Sequence, residues 1–152
     1  MKFEESLQSI DMTRVIQYTK KIQELSKGAN TQLAPIHLQD FIMAIDVTNM
    51  LLAKAIRTDL RADAYLKQSE SIAYMDNAGE YLAEKGIKDT AEARKRYVPI
   101  DPAVMAANDL RAKSAAMVSF LRNKMMEFRM AHDDVKKMAY SGDYGNTEYE
   151  GM

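Results

Sequence analysis

Residues that interrupt helices are scarce in this chain, and their positions constrain its fold more than any other feature. The 152 residues include six glycines and three prolines. Neither type occurs between Pro35 and Gly79, or between Pro102 and Gly142. Because Gly and Pro are the strongest breakers of regular structure, we expect two very long uninterrupted segments.

Apolar residues near the start of the chain recur at three- and four-residue intervals, which is the period of an amphipathic α-helix. This spacing predicts a first helix from about Thr13 to Lys27. Asp11 or Thr13 caps its start, and Gly28 ends it.

The first long segment predicts a second helix that begins at Pro35, a residue favoured in the first turn. It continues beyond Lys67, with a bend before Tyr81. Its predicted buried face consists of Leu38, Phe41, Ile42, Ile45, Leu52, Ile56 and Leu60.

Two further start signals follow Gly86, which ends the preceding segment. The sequence Asp89-Thr90-Ala91-Glu92 resembles a capping box and predicts a short helix through about Tyr97. Asp101 followed by Pro102 predicts the start of the last helix, which runs to about Tyr140.

The last helix has a coiled-coil-like apolar stripe and is about 57 Å long. A compact domain of this size has a radius of gyration near ~15 Å. We therefore expect an elongated all-α bundle whose stripe is covered by other copies. The residues predicted to form this oligomer interface are Leu110, Met117, Leu121, Phe128, Val135 and Met138.

The predicted domain organisation is one helical domain of residues 1–140 and a flexible tail of residues 141–152. The tail is rich in glycine, tyrosine and acidic residues and lacks helical periodicity. Its low apolar content provides no core of its own. We expect it to contribute to binding or assembly, and not to folding.

Composition excludes several classes of function. The 21 basic and 22 acidic residues balance, so any nucleic-acid binding must come from local patches. The absence of cysteine excludes disulfides and Cys-ligated metals. No apolar stretch approaches a membrane span, and the N-terminus lacks an apolar signal region. We expect an intracellular, cytoplasmic protein that does not contact membranes.

Catalytic motifs are lacking. The chain has no Gly-rich phosphate loop or nucleophile elbow. His132-Asp133-Asp134 is the only cluster of histidine and carboxylates, and three successive helical residues point in different directions. We therefore expect no enzyme activity, no catalytic residue, no metal site and no cofactor.

A basic face on the second helix is the strongest candidate site. Lys54, Arg57 and Arg61 share one helix face, and Tyr65 continues it. Such a face could follow a phosphate backbone, with Tyr65 as a stacking surface for a base. An ordinary solvated face is the alternative interpretation. Basic residues also recur along the last helix, at Arg111, Arg122, Arg129 and Lys136, where salt bridges explain them equally well.

The layout from Val47 to Met138 resembles the phage recombination-mediator family typified by UvsY. The resemblance is carried by a long middle helix, a variable linker and a last helix that begins with Asp101-Pro-Ala-Val-Met. Apolar positions continue from it through Leu121 and Phe128. Members of this family are helical oligomers that bind single-stranded DNA and help to load a recombinase.

The lysine–arginine DNA-binding motif of that family has no counterpart in this chain. The comparable stretch reads Ala73-Tyr74-Met75-Asp76-Asn77 and contains no basic residue. No site residue is therefore taken from the resemblance, and the candidates Lys54, Arg57, Arg61 and Tyr65 rest on face geometry alone.

Three functional hypotheses remain open. The first is an oligomeric mediator that binds single-stranded nucleic acid and aids recombination or replication. The second is a structural or assembly protein, such as a virion component or helical adaptor, that contacts itself and other phage proteins. The third is a regulator that binds another protein through a methionine-rich face.

Overall fold

The computed structural model describes residues 7–25 and 34–144, and its regular elements are all helical. The order is α1 (Thr13–Leu25), α2 (Ala34–Ile72), a π-helix (Ala73–Asn77), α3 (Ala78–Glu84), α4 (Ala91–Tyr97), a 3₁₀-helix (Val98–Ile100) and α5 (Pro102–Tyr144). The described ranges contain no strand, which confirms the predicted all-α class. Among these helices none combines the length and apolar character that crossing a bilayer requires.

Helix starts agree closely with the signals in the sequence. α1 begins at Thr13, and Asp11 Oδ1 accepts a hydrogen bond from the Thr13 amide. α5 begins at Pro102 as predicted and ends at Tyr144, four residues beyond the expected boundary. The predicted stop at Gly28 and most of the predicted tail lie outside the described residues.

The chain divides into two compact units. Unit 1 comprises residues 1–9 and 54–118, and unit 2 comprises residues 10–53 and 119–152. Each long helix therefore contributes one part to each unit.

In unit 1 the short helices surround a small apolar core. Ala73, Ala78, Tyr97 and Val104 are buried in it, with Leu66, Tyr81 and Val98 packed alongside. The Tyr81 and Tyr97 rings lie 4.6 Å apart between centroids. This core fixes α3 and α4 against the start of α5.

A guanidinium group supports the π-helix of unit 1. The Ala78 amide donates to the carbonyl of Ala73, closing a turn wider than that of an α-helix. Arg94 Nη1 donates to the carbonyls of Tyr74 and Met75, at 3.0 and 3.1 Å. Its other nitrogens hold Asp89 at 2.7 Å in a bidentate pair. The carbonyls of the irregular turn therefore have a donor outside the helix.

One buried carboxylate joins three elements of unit 1. Asp101 is 1% exposed, and its Oδ1 accepts from the amides of Ala103 and Val104 at 2.9 and 3.2 Å. Its Oδ2 accepts from Asn77 Nδ2 at 2.9 Å and from the Tyr97 hydroxyl at 2.8 Å. The predicted helix cap is therefore also a link between the π-helix, α4 and α5.

The capping of α4 differs in detail from the prediction. The N-cap is Thr90, whose Oγ1 accepts from the Ala93 amide. Since Ala93 occupies the third helical position, the reciprocal partner of a capping box is missing. Glu92 instead pairs with Arg96 one turn later.

Unit 2 brings α1 against both long helices. Lys21 Nζ lies 2.6 Å from Asp40 Oδ2 of α2. The Tyr18 ring meets the Phe128 ring of α5 edge to face, with centroids 6.2 Å apart. These contacts let α1 cover apolar residues of its own chain.

The buried face of α2 differs from the prediction. Of the expected residues only Phe41 is fully buried, while Ile42 and Leu60 are 50% and 66% exposed. Most of the buried positions instead repeat every seven residues and are mostly small: Ala34, Phe41, Thr48, Ala55, Ala62 and Ser69. Ala44 and Thr58 are also buried. Small side chains are covered completely where another helix comes close, whereas large neighbours remain at the edge of the contact.

Candidate nucleic-acid interface

All four residues of the predicted basic face lie at the surface of unit 1. Lys54, Arg57 and Arg61 are exposed, and Tyr65 is 40% exposed. Because α2 is regular throughout this stretch, the four side chains extend over about 16 Å of helix. Lys54 Nζ donates one hydrogen bond to the Ser9 carbonyl at 3.0 Å. The structure therefore brings these residues together on an accessible surface, which is called the basic face below.

Within residues 7–25 and 34–144, no carboxylate is paired with the cations of the basic face. In the residues that the structure describes, neither Arg57 nor Arg61 forms an ion pair. The sequence explains this locally, since no acidic residue stands three or four positions from Lys54, Arg57 or Arg61.

The acidic residues of the same stretch of α2 are paired with other cations. Arg111 Nη1 lies 3.0 Å from Asp59 Oδ1, and its Nε lies 3.4 Å from Asp63 Oδ1. Lys67 Nζ lies 2.8 Å from Asp63 Oδ2. The hydrogen bond from Lys67 and its positive charge lower the pKa of Asp63 below its usual value, and Arg111 lowers it further. These carboxylates therefore leave the basic face uncompensated.

Of the four cations expected to form a stripe on the last helix, Arg111 differs from the other three. Arg111 is half-buried and pairs with Asp59 and Asp63 of α2, so its ion pairs form between two helices of one chain. Arg122, Arg129 and Lys136 are exposed. Asp133 lies 3.3 Å from His132 Nδ1, and no pair between Arg129 and Asp133 is found in the described part of α5.

The residues predicted to contact other copies are mostly covered within a single chain. Leu121 and Phe128 are completely buried and Val135 is 3% exposed. Leu110 and Met117 are half-buried, and Met138 is 36% exposed. The expectation of an open stripe on the last helix is therefore corrected at its three central positions, because packing inside the chain covers them.

The buried seam of α5 includes polar positions, so the positions of apolar residues alone do not reveal its register. Buried or half-buried residues alternate at three and four positions, from Val104 through Ala107, Arg111, Ser114, Val118, Leu121, Met125, Phe128 and His132 to Val135. The Ser114 hydroxyl donates to Asp59 Oδ1 at 2.8 Å. A search for heptads that accepted paired polar residues would have found this register.

The chemistry available at these surfaces is electrostatic. Within the described ranges, no group of three His, Asp or Glu side chains is arranged to hold a metal ion. The basic face offers cations for phosphate oxygens and an aromatic ring for stacking.

The comparisons with known proteins identify no relative. No family model matches the chain, and no curated protein or solved structure shows significant similarity to it. Any assignment of function therefore rests on the residues themselves.

Proposed function

We propose that this chain is a non-enzymatic, oligomeric protein that binds single-stranded nucleic acid through Lys54, Arg57, Arg61 and Tyr65. The observation that carries the proposal is the uncompensated charge of the basic face. Several other cations of unit 1 are matched by nearby carboxylates, as with Arg94 and Asp89 or Lys113 and Asp109.

The arrangement of the basic face costs the free chain some stability. Lys54 and Arg57 are three residues apart, and Arg57 and Arg61 are four apart. Like charges at these spacings repel by roughly 0.2–0.5 kcal/mol per pair. A bound phosphate backbone relieves this repulsion and releases its own counterions. An anionic polymer is therefore a partner that fits this surface.

Single strands fit the face better than duplex DNA because of Tyr65. An exposed ring beside a row of cations can stack on an unpaired base, whatever its identity. Three phosphate contacts are weak alone, and linking several chains multiplies them through effective concentration. The layout that resembles the UvsY-type mediators suggests a role in recombination or replication inside the cell.

A salt titration of oligonucleotide binding tests this proposal. Changing Lys54, Arg57 and Arg61 together to Ala should reduce the slope of log K against log salt by about 2, since each contact with single strands contributes ~0.7. The matched control replaces Lys67, Lys113 and Lys137 with Ala. It removes the same charge from residues that already have acidic partners.

Tyr65→Ala should weaken binding by about 1–3 kcal/mol and leave the salt slope unchanged, because stacking releases no counterions. If the wild-type chain binds no oligonucleotide at about 50 mM salt, where the electrostatic contribution is large, the proposal is wrong.

An assembly protein is the second candidate, and exposed apolar residues favour it. Ile36, Met43 and Met50 recur every seven residues on α2 and are 59%, 47% and 75% exposed. A stripe of this kind is typical of contacts between helices. A virion component or helical adaptor would use it to bind a second copy or another phage protein. This candidate predicts self-association without any affinity for oligonucleotides.

A further inference from the structure

A groove in unit 1 is formed by the turn that follows α3. Gly86 has a φ of +64°, which favours glycine. The Ile87 amide donates to the Leu82 carbonyl at 2.9 Å, and the Gly86 amide donates to the Ala83 carbonyl at 3.1 Å. These two bonds define a Schellman motif, which folds the chain back so that Ile87 lies beside Leu82.

The groove has an apolar floor and exposed apolar edges. Its volume is about 440 Å³, in the range of binding sites for small groups. Leu82 and Tyr97, which are 2% and 8% exposed, line the floor. Ile87 and Ile100 form the edges and are 49% and 52% exposed. An unoccupied groove leaves these two large residues in water, so an apolar occupant would be stabilised there.

The rim of the groove carries an excess of positive charge. Lys88 and Arg96 line it, and Lys85 Nζ lies 6.0 Å from the centre of the neighbouring Tyr81 ring. Glu92 also lines the groove but is paired with Arg96 at 2.5 Å. The Asp89 carboxylate beside Lys88 accepts hydrogen bonds from Nε and Nη2 of Arg94. Lys88 therefore faces solvent without a carboxylate among the described residues.

We propose that this groove binds the segment 145–152 of a second copy of this chain, with Tyr149 between Ile87 and Ile100. The segment reads Gly-Asn-Thr-Glu-Tyr-Glu-Gly-Met and contains two acidic residues and no basic one. Glu148 and Glu150 flank Tyr149, so a ring placed in the groove carries one carboxylate on each side to the cationic rim. The occupant is argued from this match of charge and apolar character, independently of nucleic-acid binding.

Docking of this segment would serve assembly when a second copy supplies it. A contact between the end of one chain and the groove of another joins two different surfaces and is therefore heterologous. Repeated contacts of this type close into a ring or extend into a filament. The groove thus provides an assembly surface that does not use the buried residues of α5.

A labelled peptide with the sequence of residues 141–152 tests the proposal on the full-length chain. A chain carrying Glu148→Gln, Tyr149→Ala and Glu150→Gln lacks the competing segment. It should bind the peptide several-fold more tightly than the wild type does, as measured by fluorescence anisotropy. Adding Lys88→Glu to this chain should weaken peptide binding at least tenfold.

The matched control is Lys95→Glu, which makes the same charge change on an exposed residue of α4 outside the groove. It should change the affinity less than twofold. A peptide with Glu148→Lys and Glu150→Lys should recover binding to the Lys88→Glu chain, which a general loss of structure could not explain. Circular dichroism checks that every variant retains its helices.

Three results would overturn this inference. The peptide could fail to bind any chain, or it could bind the Lys88→Glu and Lys95→Glu chains equally. Alternatively, binding could be lost when Lys54, Arg57 and Arg61 are changed to Ala and be unaffected by Lys88→Glu. That last result would place the segment on the basic face and contradict the groove proposal alone. Failure of the groove proposal can therefore be distinguished from failure of the nucleic-acid proposal.

Discussion

Asp101 illustrates how a single side chain can set the geometry of several helices. An aspartate with 1% exposure is tolerated only because each carboxylate oxygen accepts hydrogen bonds. Burial raises the pKa of Asp101, but the bonds from Asn77, Tyr97 and the Val104 and Ala103 amides outweigh it and hold the pKa below its usual value. The charged form is therefore the one that the fold requires.

Asp101→Asn should destabilise the protein by about 2–3 kcal/mol, since it weakens charge-assisted bonds and the N-cap of α5 together. Urea unfolding followed by circular dichroism measures this loss. Asp109→Asn is the control, because Asp109 is exposed and its ion pair among the described residues is with Lys113 on the same helix. Its effect should stay below about 0.5 kcal/mol. Equal effects of the two changes would contradict the role given to Asp101.

Tyr97 should make stability sensitive to alkaline pH. Burial, together with donation of its hydroxyl to Asp101, raises the pKa of Tyr97 to about 12. Because the pKa of Tyr97 is raised in the folded state, its neutral hydroxyl contributes to the free energy of unfolding. This contribution is complete below the unfolded pKa of about 10 and is lost as the pH rises through the folded pKa.

The difference in unfolding free energy between wild type and Tyr97→Phe should shrink from about pH 9 to about pH 12. The phenylalanine variant has no hydroxyl at this position to ionise, while the other titrating groups are common to both proteins. A difference that stays constant over this range would show that Tyr97 does not ionise differently in the folded state.

At the scale of the helices, the sequence predicted where elements begin better than which faces they bury. Asp101 and Thr13 mark helix starts through local hydrogen bonds, which depend on a few neighbouring residues. Burial depends on which helix lies opposite, and that information is spread over distant parts of the chain. The buried Ser114 hydroxyl donates a hydrogen bond to Asp59 Oδ1, a pairing that no local pattern reveals.

The small residues on the buried face of α2 illustrate the same limit. Thr48, Thr58 and Ser69 are buried, and each donates its hydroxyl to the carbonyl four residues earlier. They need no partner from another helix, so they can occupy a tight contact. A prediction based on large apolar residues favours Ile42 and Leu60 instead, which remain exposed.

Truncating the α5 seam should reduce stability, since the chain itself covers its central residues. Leu121→Ala and Phe128→Ala should each cost about 3–5 kcal/mol, because both side chains are completely buried. Met126→Ala, at a position 61% exposed, should cost less than about 0.5 kcal/mol. Chemical denaturation gives all three values. Dissociation of an oligomer without loss of monomer stability would indicate that Leu121 and Phe128 face another copy after all.

For the whole molecule, the sequence identified the all-α class and the accessible cations Lys54, Arg57 and Arg61. It did not identify the pairing of Arg111 or the groove beside Gly86. Charge and helical periodicity are visible in one stretch of sequence, which explains why the all-α class and the exposed cations could be predicted. Ion pairs between helices and turn geometry depend on tertiary contacts, which explains the failure.

Self-association remains a prediction, and its structural basis moves from α5 to α2. Sedimentation equilibrium should give a mass that is a multiple of 17.2 kDa. Met43→Asp combined with Met50→Asp should lower that mass, because two charges would enter an apolar contact. Gln39→Asp, which adds a charge at another exposed position of α2, is the control. A wild-type chain that sediments as a monomer would remove the reason for an interface here.

The π-helix between α2 and α3 rotates the residues of α3 about the helix axis relative to those of α2. Deleting one residue from Ala73–Asn77 would restore α-helical winding, and every later residue of α3 would turn by about 100° relative to α2. Leu82 would then leave the floor beside Tyr97, and Arg94 would face carbonyls already used by the helix. One additional residue in a single turn thus decides which side of α3 becomes interior and which becomes surface.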